Sequence, residues 1–300
     1  MFSVLIPVGP KPVELARLQD TVDSLRAHEP AEDVRLVLVD DSLTPRPQLA
    51  ELEWPTPPVV VRTPLWEAST APDLKSALVA GAMEGLRAAA ADAPEFCLKM
   101  DTDALVIAPF AEKVRAALAA DPTVGMLGSY DRKCTGERRD WEHKGRAIAA
   151  ASRPVTVRRR STRFQVPSGF WYKPAALRAR ARDLTQQALA NGYELGAHCL
   201  GGAYAVSSAL LQRTDLLDWR PWVRTPDVGE DVTVSLAVFA AGLRIRGMVD
   251  RDEPFGLAFQ GLPADPRWLV ENGHSLVHSL KDHRGSSEEE LRSWFREHAR

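Results

Sequence analysis

Cysteine is scarce: this chain of 300 residues has three, Cys97, Cys134 and Cys199. Their odd number and lack of short metal-ligand spacing exclude a disulfide framework and a zinc knuckle, and point to reduced thiols in a cytoplasmic protein. An excess of charge of one sign is also lacking. A net charge of −2 gives no global attraction to nucleic acid or to an anionic membrane. No stretch approaches the ~18 apolar residues that a transmembrane segment needs. The opening MFSVLIPVGP has no basic region ahead of its apolar run, so it reads as a strand and not as a signal peptide. With no anchor expected, a membrane would be met only at its surface. Internal repeats and low-complexity linkers are absent, and the length suits one large core.

Short β-branched runs alternate with helical patterns through the first half. Residues 2–8, 34–40 and 59–62 are near-continuous apolar runs, the pattern of buried parallel strands. Leu15, Leu18, Val22 and Leu25 make one helical stripe. Leu74, Leu78, Ala82 and Leu86, with Val79 and Met83 beside them, make a second, which leads into a strand at 96–100. This repetition predicts an α/β fold with right-handed crossovers and a doubly wound, mostly parallel sheet. Ligands of such sheets bind beyond the carboxyl ends of the strands. Later elements are expected as a helix at 174–190, a Gly-flanked strand at 201–206, a helix from about Asp231 and a strand at 243–249. The tail predicts a helix capped by Ser286 and Glu289, with Leu291, Trp294 and Phe295 on one face.

Residues 131–173 differ. Twelve Lys or Arg stand against four Asp or Glu, including Arg158, Arg159 and Arg160, and periodicity is weak. This predicts an insertion or long loop whose cations are solvated, with an acceptor-binding lid as the alternative. Phe170, Trp171 and Tyr172, and also Trp219 and Trp222, would suit stacking on a sugar or an aromatic group, although core packing accounts for such residues nearly as well.

Three acidic motifs carry the chemistry. Asp101-Thr102-Asp103 directly follows the strand Phe96-Cys97-Leu98-Lys99-Met100, and two carboxylates one residue apart at a strand end can converge on one hard cation, Mn²⁺ or Mg²⁺, which clamps a diphosphate. Asp40-Asp41-Ser42 ends the second strand, where an acid can accept hydrogen bonds from a base or ribose, or can serve an Asx turn. Glu230-Asp231 opens a helix whose stripe is Val232, Leu236, Phe239 and Ala240. Acids there either stabilise the helix N-terminus or include a general base, and the helix end is expected to keep the carboxyl pKa low.

Together these motifs resemble inverting GT-A glycosyltransferases of the family-2 type. Leu74-Lys75, the strand through Asp103, Gly201-Gly202-Ala203-Tyr204-Ala205-Val206-Ser207 and Glu230-Asp231-Val232 are locally similar to the beta-1,3-glycosyltransferase and Fringe branch. The likeness covers about residues 1–110 and 200–283. Thr102 departs from the common three-acid form, and Val79 stands where many family-2 type members have Asn. The resemblance implies a GT-A domain over 1–285, with a Rossmann-like nucleotide-sugar-binding half (1–130), a basic insert and acceptor region (131–200), a catalytic and His-bearing segment (201–285) and a terminal helix (286–300).

It further implies a transferase of the hexosyltransferase class, moving a sugar from a nucleotide-sugar donor, a UDP-sugar, to a hydroxyl of a small molecule, glycan or peptide. Val8 and Gly9 would line the nucleotide pocket, and Asp41 with Asp40 would contact uracil or ribose. Lys75 would approach the diphosphate, and Asp101 the ribose. Asp103 would hold the metal, Asp231 would be the base, and Glu230 would contact the acceptor. Such enzymes take a further metal ligand from a late His. Among His274, His278 and His283 the choice is His278, with Lys281 near enough to neutralise diphosphate. His274 and His278 would share a face if that stretch were helical. Competing functions are a sugar-phosphate nucleotidyltransferase, disfavoured by the short, Pro-stiffened loop Val8-Gly9-Pro10-Lys11-Pro12, and a non-catalytic nucleotide- or carbohydrate-binding protein.

Overall fold

The computed structural model describes residues 1–63, 74–152, 174–223, 225, 227–281 and 283–298, without the side chains of Leu74 and Lys75. The apolar runs of the first half form strands where their pattern predicts them: β1 (Phe2–Val8), β2 (Val34–Asp40), β3 (Val59–Arg62) and β4 (Phe96–Met100). Helix α1 (Val13–His28) lies between β1 and β2, and α2 (Leu74–Ala90) precedes β4. There follow β5 (Leu105–Val106), α3 (Ala111–Ala120), β6 (Val124–Gly128), α4 (Glu142–Ser152), α5 (Ala175–Ala190), β7 (Ala203–Ser207) and the short α6 (Ser208–Leu211). The chain continues through α7 (Glu230–Ala240), β8 (Arg244–Gly247), β9 (Phe255–Leu257), α8 (Pro266–Glu271), β10 (Leu276–His278) and α9 (Glu288–His298).

Among the described residues the main sheet has seven strands in the order β3-β2-β1-β4-β7-β6-β8. Pairing is parallel along β3-β2-β1-β4 and between β6 and β8, while β7 runs antiparallel to both its neighbours. The pleat divides each strand between two cores. Val4, Ile6 and Val8 meet Leu18, Val22 and Val114 on the α1 and α3 face. Leu5 and Val37 meet Val79, Met83, Leu184 and Val234 on the α2, α5 and α7 face. Burial on both faces is why these strands are apolar throughout. α7 lies inside the second core, with every residue buried except the part-buried Asp231, so its apolar character extends all round and not along one stripe.

The strand order places β2 and β3 on one side of β1 and β4 on the other, opening a crevice beyond the carboxyl ends of β1 and β4. A second sheet, β5-β10-β9, brings His278 at the end of β10 beside the residues that follow β4. β10 pairs antiparallel with β5 through Leu276–Val106 and Val277–Leu105, and parallel with β9. That register sets the residues after β10 against the loop after β4, with the Leu280 N–H donating to the Asp103 carbonyl at 3.1 Å.

Three local expectations change. The histidine segment is a strand at 276–278, so a helical pairing of His274 with His278 does not arise. Part of the basic stretch is helical: α4 buries only Gly145 and Ile148, too short a stripe to register as periodicity. The tail helix is capped one residue later than expected, by Ser287 and Glu290, whose Ser287 N–H to carboxylate and Glu290 N–H to hydroxyl bonds are 2.7 and 3.2 Å. The run Ser-Ser-Glu-Glu-Glu offers the Ser-x-x-Glu spacing in both registers, and the backbone selects the second.

Candidate active site

β4 delivers Asp101 and Asp103 to the crevice, and β10 delivers His278. One ligand atom from each lies within 4.8 Å of the other two. His278 Nε2 stands 3.3 Å from Asp103 Oδ1 and 3.8 Å from Asp101 Oδ2. Asp103 Oδ2 accepts from Ser279 Oγ at 2.7 Å and pairs with Lys281 Nζ at 3.0 Å. His278 Nδ1 lies 2.7 Å from the Ala258 carbonyl, to which it donates, leaving Nε2 directed at the carboxylates. A ring held this way is oriented as metal-ligating imidazoles are.

Electrostatics fit the same assignment. Burial would raise the Asp103 carboxyl, but His278, Lys281 and Ser279 outweigh it and hold it far below the carboxylate range. Asp101 is pushed the other way, by burial first, with Asp103 adding to it and Lys99 opposing. Burial lowers His278, yet Asp103 and Asp101 overcome this and raise it. Two carboxylates forced together, one low and one high, with a histidine drawn toward its cationic form, make a site that a divalent cation would relieve. Of the three candidate histidines, only His278 joins it. His274 Nδ1 faces the Glu253 carbonyl, and His283 Nδ1 accepts from the Leu262 N–H.

Lys99 is a central member of this region. It is fully buried, and its ammonium donates to Asp101 Oδ1 at 2.6 Å, the Gly201 carbonyl at 2.5 Å and Glu230 Oε1 at 3.1 Å. Glu230 is thereby an internal ion-pair partner at the start of α7. A charge inside the otherwise apolar strand FCLKM was the signal available for finding Lys99 from sequence, because a lysine is seldom fully buried unless paired.

Gly201 and Gly202 permit the close approach. A Cβ on Gly201 would come 2.8 Å from Glu230 Oε1, and one on Gly202 would come 2.2 Å from His278 Nδ1 and 2.3 Å from its Cγ. Gly202→Ala is therefore expected to displace the His278 ring and weaken cation binding by about tenfold or more. Mn²⁺ titration followed by electron paramagnetic resonance, with circular dichroism confirming the fold, reads this. Wild-type affinity in a folded variant would contradict it.

Asp231 stands at the same end of α7. A Cβ on Gly201 would be 3.3 Å from its Oδ2, so it lies against the turn that carries the Lys99 contact. Oδ1 accepts from the Val232 N–H at 2.8 Å. Contrary to the sequence expectation, its carboxyl is raised: burial exceeds the lowering by that N–H and by the cations Lys144, Lys99 and Arg139. A helix N-terminus lowers a pKa when water surrounds it, and here desolvation wins.

His198 Nε2 is 3.7 Å from Asp231 Oδ2. Its Nδ1 donates to the Gly196 carbonyl at 2.6 Å, and Nε2 receives the half-buried Arg139 guanidinium at 2.9 Å. Burial and Arg139 push His198 down to about 3, so it is neutral near pH 7. Sequence alone offered no sign of this neighbour.

The carboxyl ends of β1 and β2 are pinned by arginine. Asp40 is buried, and it accepts from Arg46 Nε at 2.8 Å, the Arg46 backbone N–H at 2.9 Å and Ser42 Oγ at 2.5 Å. Arg46 also donates to the carbonyls of Gly9 and Val8 at 2.8 and 2.6 Å, while the Asp41 N–H donates to the Val8 carbonyl at 3.1 Å. Both Asp40 oxygens are thus engaged within the protein, and Asp41, at 6% exposure, borders the strand ends. Lys75 lies in the first turn of α2, its side chain outside the described residues. Arg158, Arg159, Arg160, Phe170, Trp171 and Tyr172 also lie outside them. Trp222 is buried in the core, and Trp219 packs against the same core with its Nε1 donating to Glu84 at 2.8 Å.

No protein-family model and no curated protein matches the chain. Solved structures do. The galactosyltransferase LgtC, in complex with donor and acceptor sugar analogs, is 12% identical with a TM-score of 0.50, covering 99% of this chain and 96% of that one. A TarS fragment (1–349) from S. aureus is 15% identical with a TM-score of 0.38, over 83% of this chain and 58% of that one. The mannosyltransferase PcManGT from Pyrobaculum calidifontis, in complex with GDP-Man and Mn²⁺, is 16% identical with a TM-score of 0.39, over 83% and 55%. The chain thus spans little more than half the length of the latter two. The likeness to LgtC, over nearly the whole of both chains, shows the fold, which is GT-A. No helix among the described residues is long and apolar enough to cross a membrane.

Proposed function

We propose that this protein is a metal-dependent, inverting glycosyltransferase of the hexosyltransferase class, moving a sugar from a UDP-sugar to a hydroxyl of an acceptor. The observation that carries the proposal is the convergence of Asp101, Asp103 and His278 beyond β4, at the switch point of a GT-A sheet. Two carboxylates and an imidazole suit Mn²⁺, and Mg²⁺ after it. A cation bound there supplies charge neutralisation to the leaving diphosphate. Lys281, on the same carboxylate and 45% exposed, would add a second positive charge on the solvent side.

Val8, Asp40 and Asp41 are proposed to frame the nucleoside, Asp40 by holding Arg46 and the strand ends in place, and Lys75 to approach the diphosphate. Asp231 is the proposed base, its raised carboxyl making it a better proton acceptor than an ordinary exposed aspartate. Glu230 borders the acceptor while paired to Lys99. The three cysteines, all free thiols, support a cytoplasmic setting.

UDP titrations with Mn²⁺ and with excess EDTA test the proposal. Chelation is expected to weaken UDP by at least about tenfold, ~1.4 kcal/mol. UDP release from UDP-sugars should require the metal. Unchanged affinity in EDTA would remove the cation from the mechanism.

A further inference from the structure

We infer that α9 is a positioning element for the cation-binding loop, acting through Arg292 and Glu288; this rests on the cation site proposed above. The argument starts at Thr102, between the two aspartates. Its carbonyl accepts from Arg292 Nη2 at 2.9 Å and from Thr21 Oγ1 at 3.0 Å, and its hydroxyl donates to Glu14. Glu14 accepts from Arg17 Nη1 at 2.9 Å. Arg17 in turn donates to Glu288 through Nε at 2.9 Å and Nη2 at 2.5 Å. Glu288 Oε1 accepts from Arg292 Nε at 3.0 Å and Nη2 at 2.8 Å. Thr102, Glu14, Arg17, Glu288 and Arg292 therefore form a closed ring around the centre of the loop, its four charged members joined in sequence by ion pairs.

Packing holds this ring in place. Leu291 and Phe295 of α9 are buried with Leu105 and Val277 of the small sheet and with Ile107, just after β5. Arg292 is itself 4% exposed and lies 3.5 Å from Asp20. Charge-assisted bonds at low exposure are stronger than those in water, and a closed ring of them favours one geometry. Rotation of the backbone about Thr102 is what these bonds oppose, since turning the Thr102 carbonyl would swing the flanking aspartates together. The contacts of Arg292 are with Thr102, Glu288 and Asp20 and not with the three proposed ligands, so its effect on them passes through the backbone.

The test uses the full chain and Mn²⁺ alone, its Kd measured by electron paramagnetic resonance, with circular dichroism reporting the fold. Arg292→Met should raise the Kd by about tenfold or more, the range seen when groups supporting metal ligands are lost. Arg292→Lys keeps the charge but cannot span Glu288 and the Thr102 carbonyl together, so it should raise the Kd similarly even if the Met variant fails to fold. Arg296→Ala, on the exposed side of the same helix, should leave the Kd unchanged. A helix that merely stabilises the protein would lower Tm in the Arg292 variants at an unaltered Kd, and that result overturns the inference. Wild-type protein that takes up no Mn²⁺ would instead overturn the cation site on which the inference rests.

Discussion

Asp103→Ala is expected to abolish divalent-cation binding and to lower turnover by about 10³-fold or more, the several kcal/mol that a cation contributes to a developing diphosphate charge. Asp103 is nearly fully buried and stands at the meeting point of three partners: Ser279 at 2.7 Å, Lys281 at 3.0 Å and His278 at 3.3 Å. Those partners hold it ionised far below the ordinary carboxylate range, so it is the group best prepared to hold a cation at any working pH. Its loss also removes the leading cause of the raised His278 pKa, leaving burial to push that ring toward neutrality. Asp101 alone would not replace it, because Lys99 engages one of its oxygens and only the other faces the site. His278→Ala should weaken binding without abolishing it, while His274→Ala and His283→Ala should leave the Kd close to wild type. Mn²⁺ titration of the four variants, alongside UDP-sugar turnover, makes the comparison. An Asp103→Ala protein with wild-type Mn²⁺ affinity would refute the assignment.

Asp231→Asn is expected to lower kcat by about 10²–10⁴-fold while sparing donor binding, the range for loss of a general base. In a single in-line displacement the acceptor oxygen loses its proton as it attacks, opposite the departing diphosphate. A carboxylate at the head of a helix would usually be a poor base, but burial raises this one above the ordinary range. The basic form must be present for turnover, so the acid limb of the kcat profile should lie at higher pH than for an exposed aspartate and disappear in the Asn variant. His198 cannot supply the limb: burial and Arg139 push it down to about 3, so it stays neutral through that range. The product anomer, read from its proton coupling constant, should be inverted relative to the donor. Retained configuration, or near-normal kcat in Asp231→Asn, would dismiss Asp231 as the base of a single displacement.

Much of the fold was legible because burial leaves a local signature. β1, β2 and β4 were readable from runs of apolar residues, since a strand covered on both faces is largely apolar, and the part-buried edge strand β3 from its three valines. Asp101-Thr102-Asp103 at the end of β4 was readable for the same reason, the chain turning polar where it leaves the sheet. The shortest elements escaped. β5 has two residues and β9 and β10 three each, lengths at which alternation cannot be told from chance.

The sequence by itself determined which side chains must be buried, where the strands of the first half end, and hence that two carboxylates stand together at a strand terminus. Neighbouring residues along a strand or helix obey a fixed geometric period, so this information is local. Which distant groups those carboxylates meet was decided by tertiary structure alone. The β5–β10 register selects His278 over His274 and His283, the Gly201–Gly202 turn lets Lys99 join Asp101 to Glu230, and packing around Asp231 reverses the pKa expected of a helix terminus. None of these has a sequence period, because each depends on strand pairing, close backbone approach or exclusion of water between segments far apart in the chain.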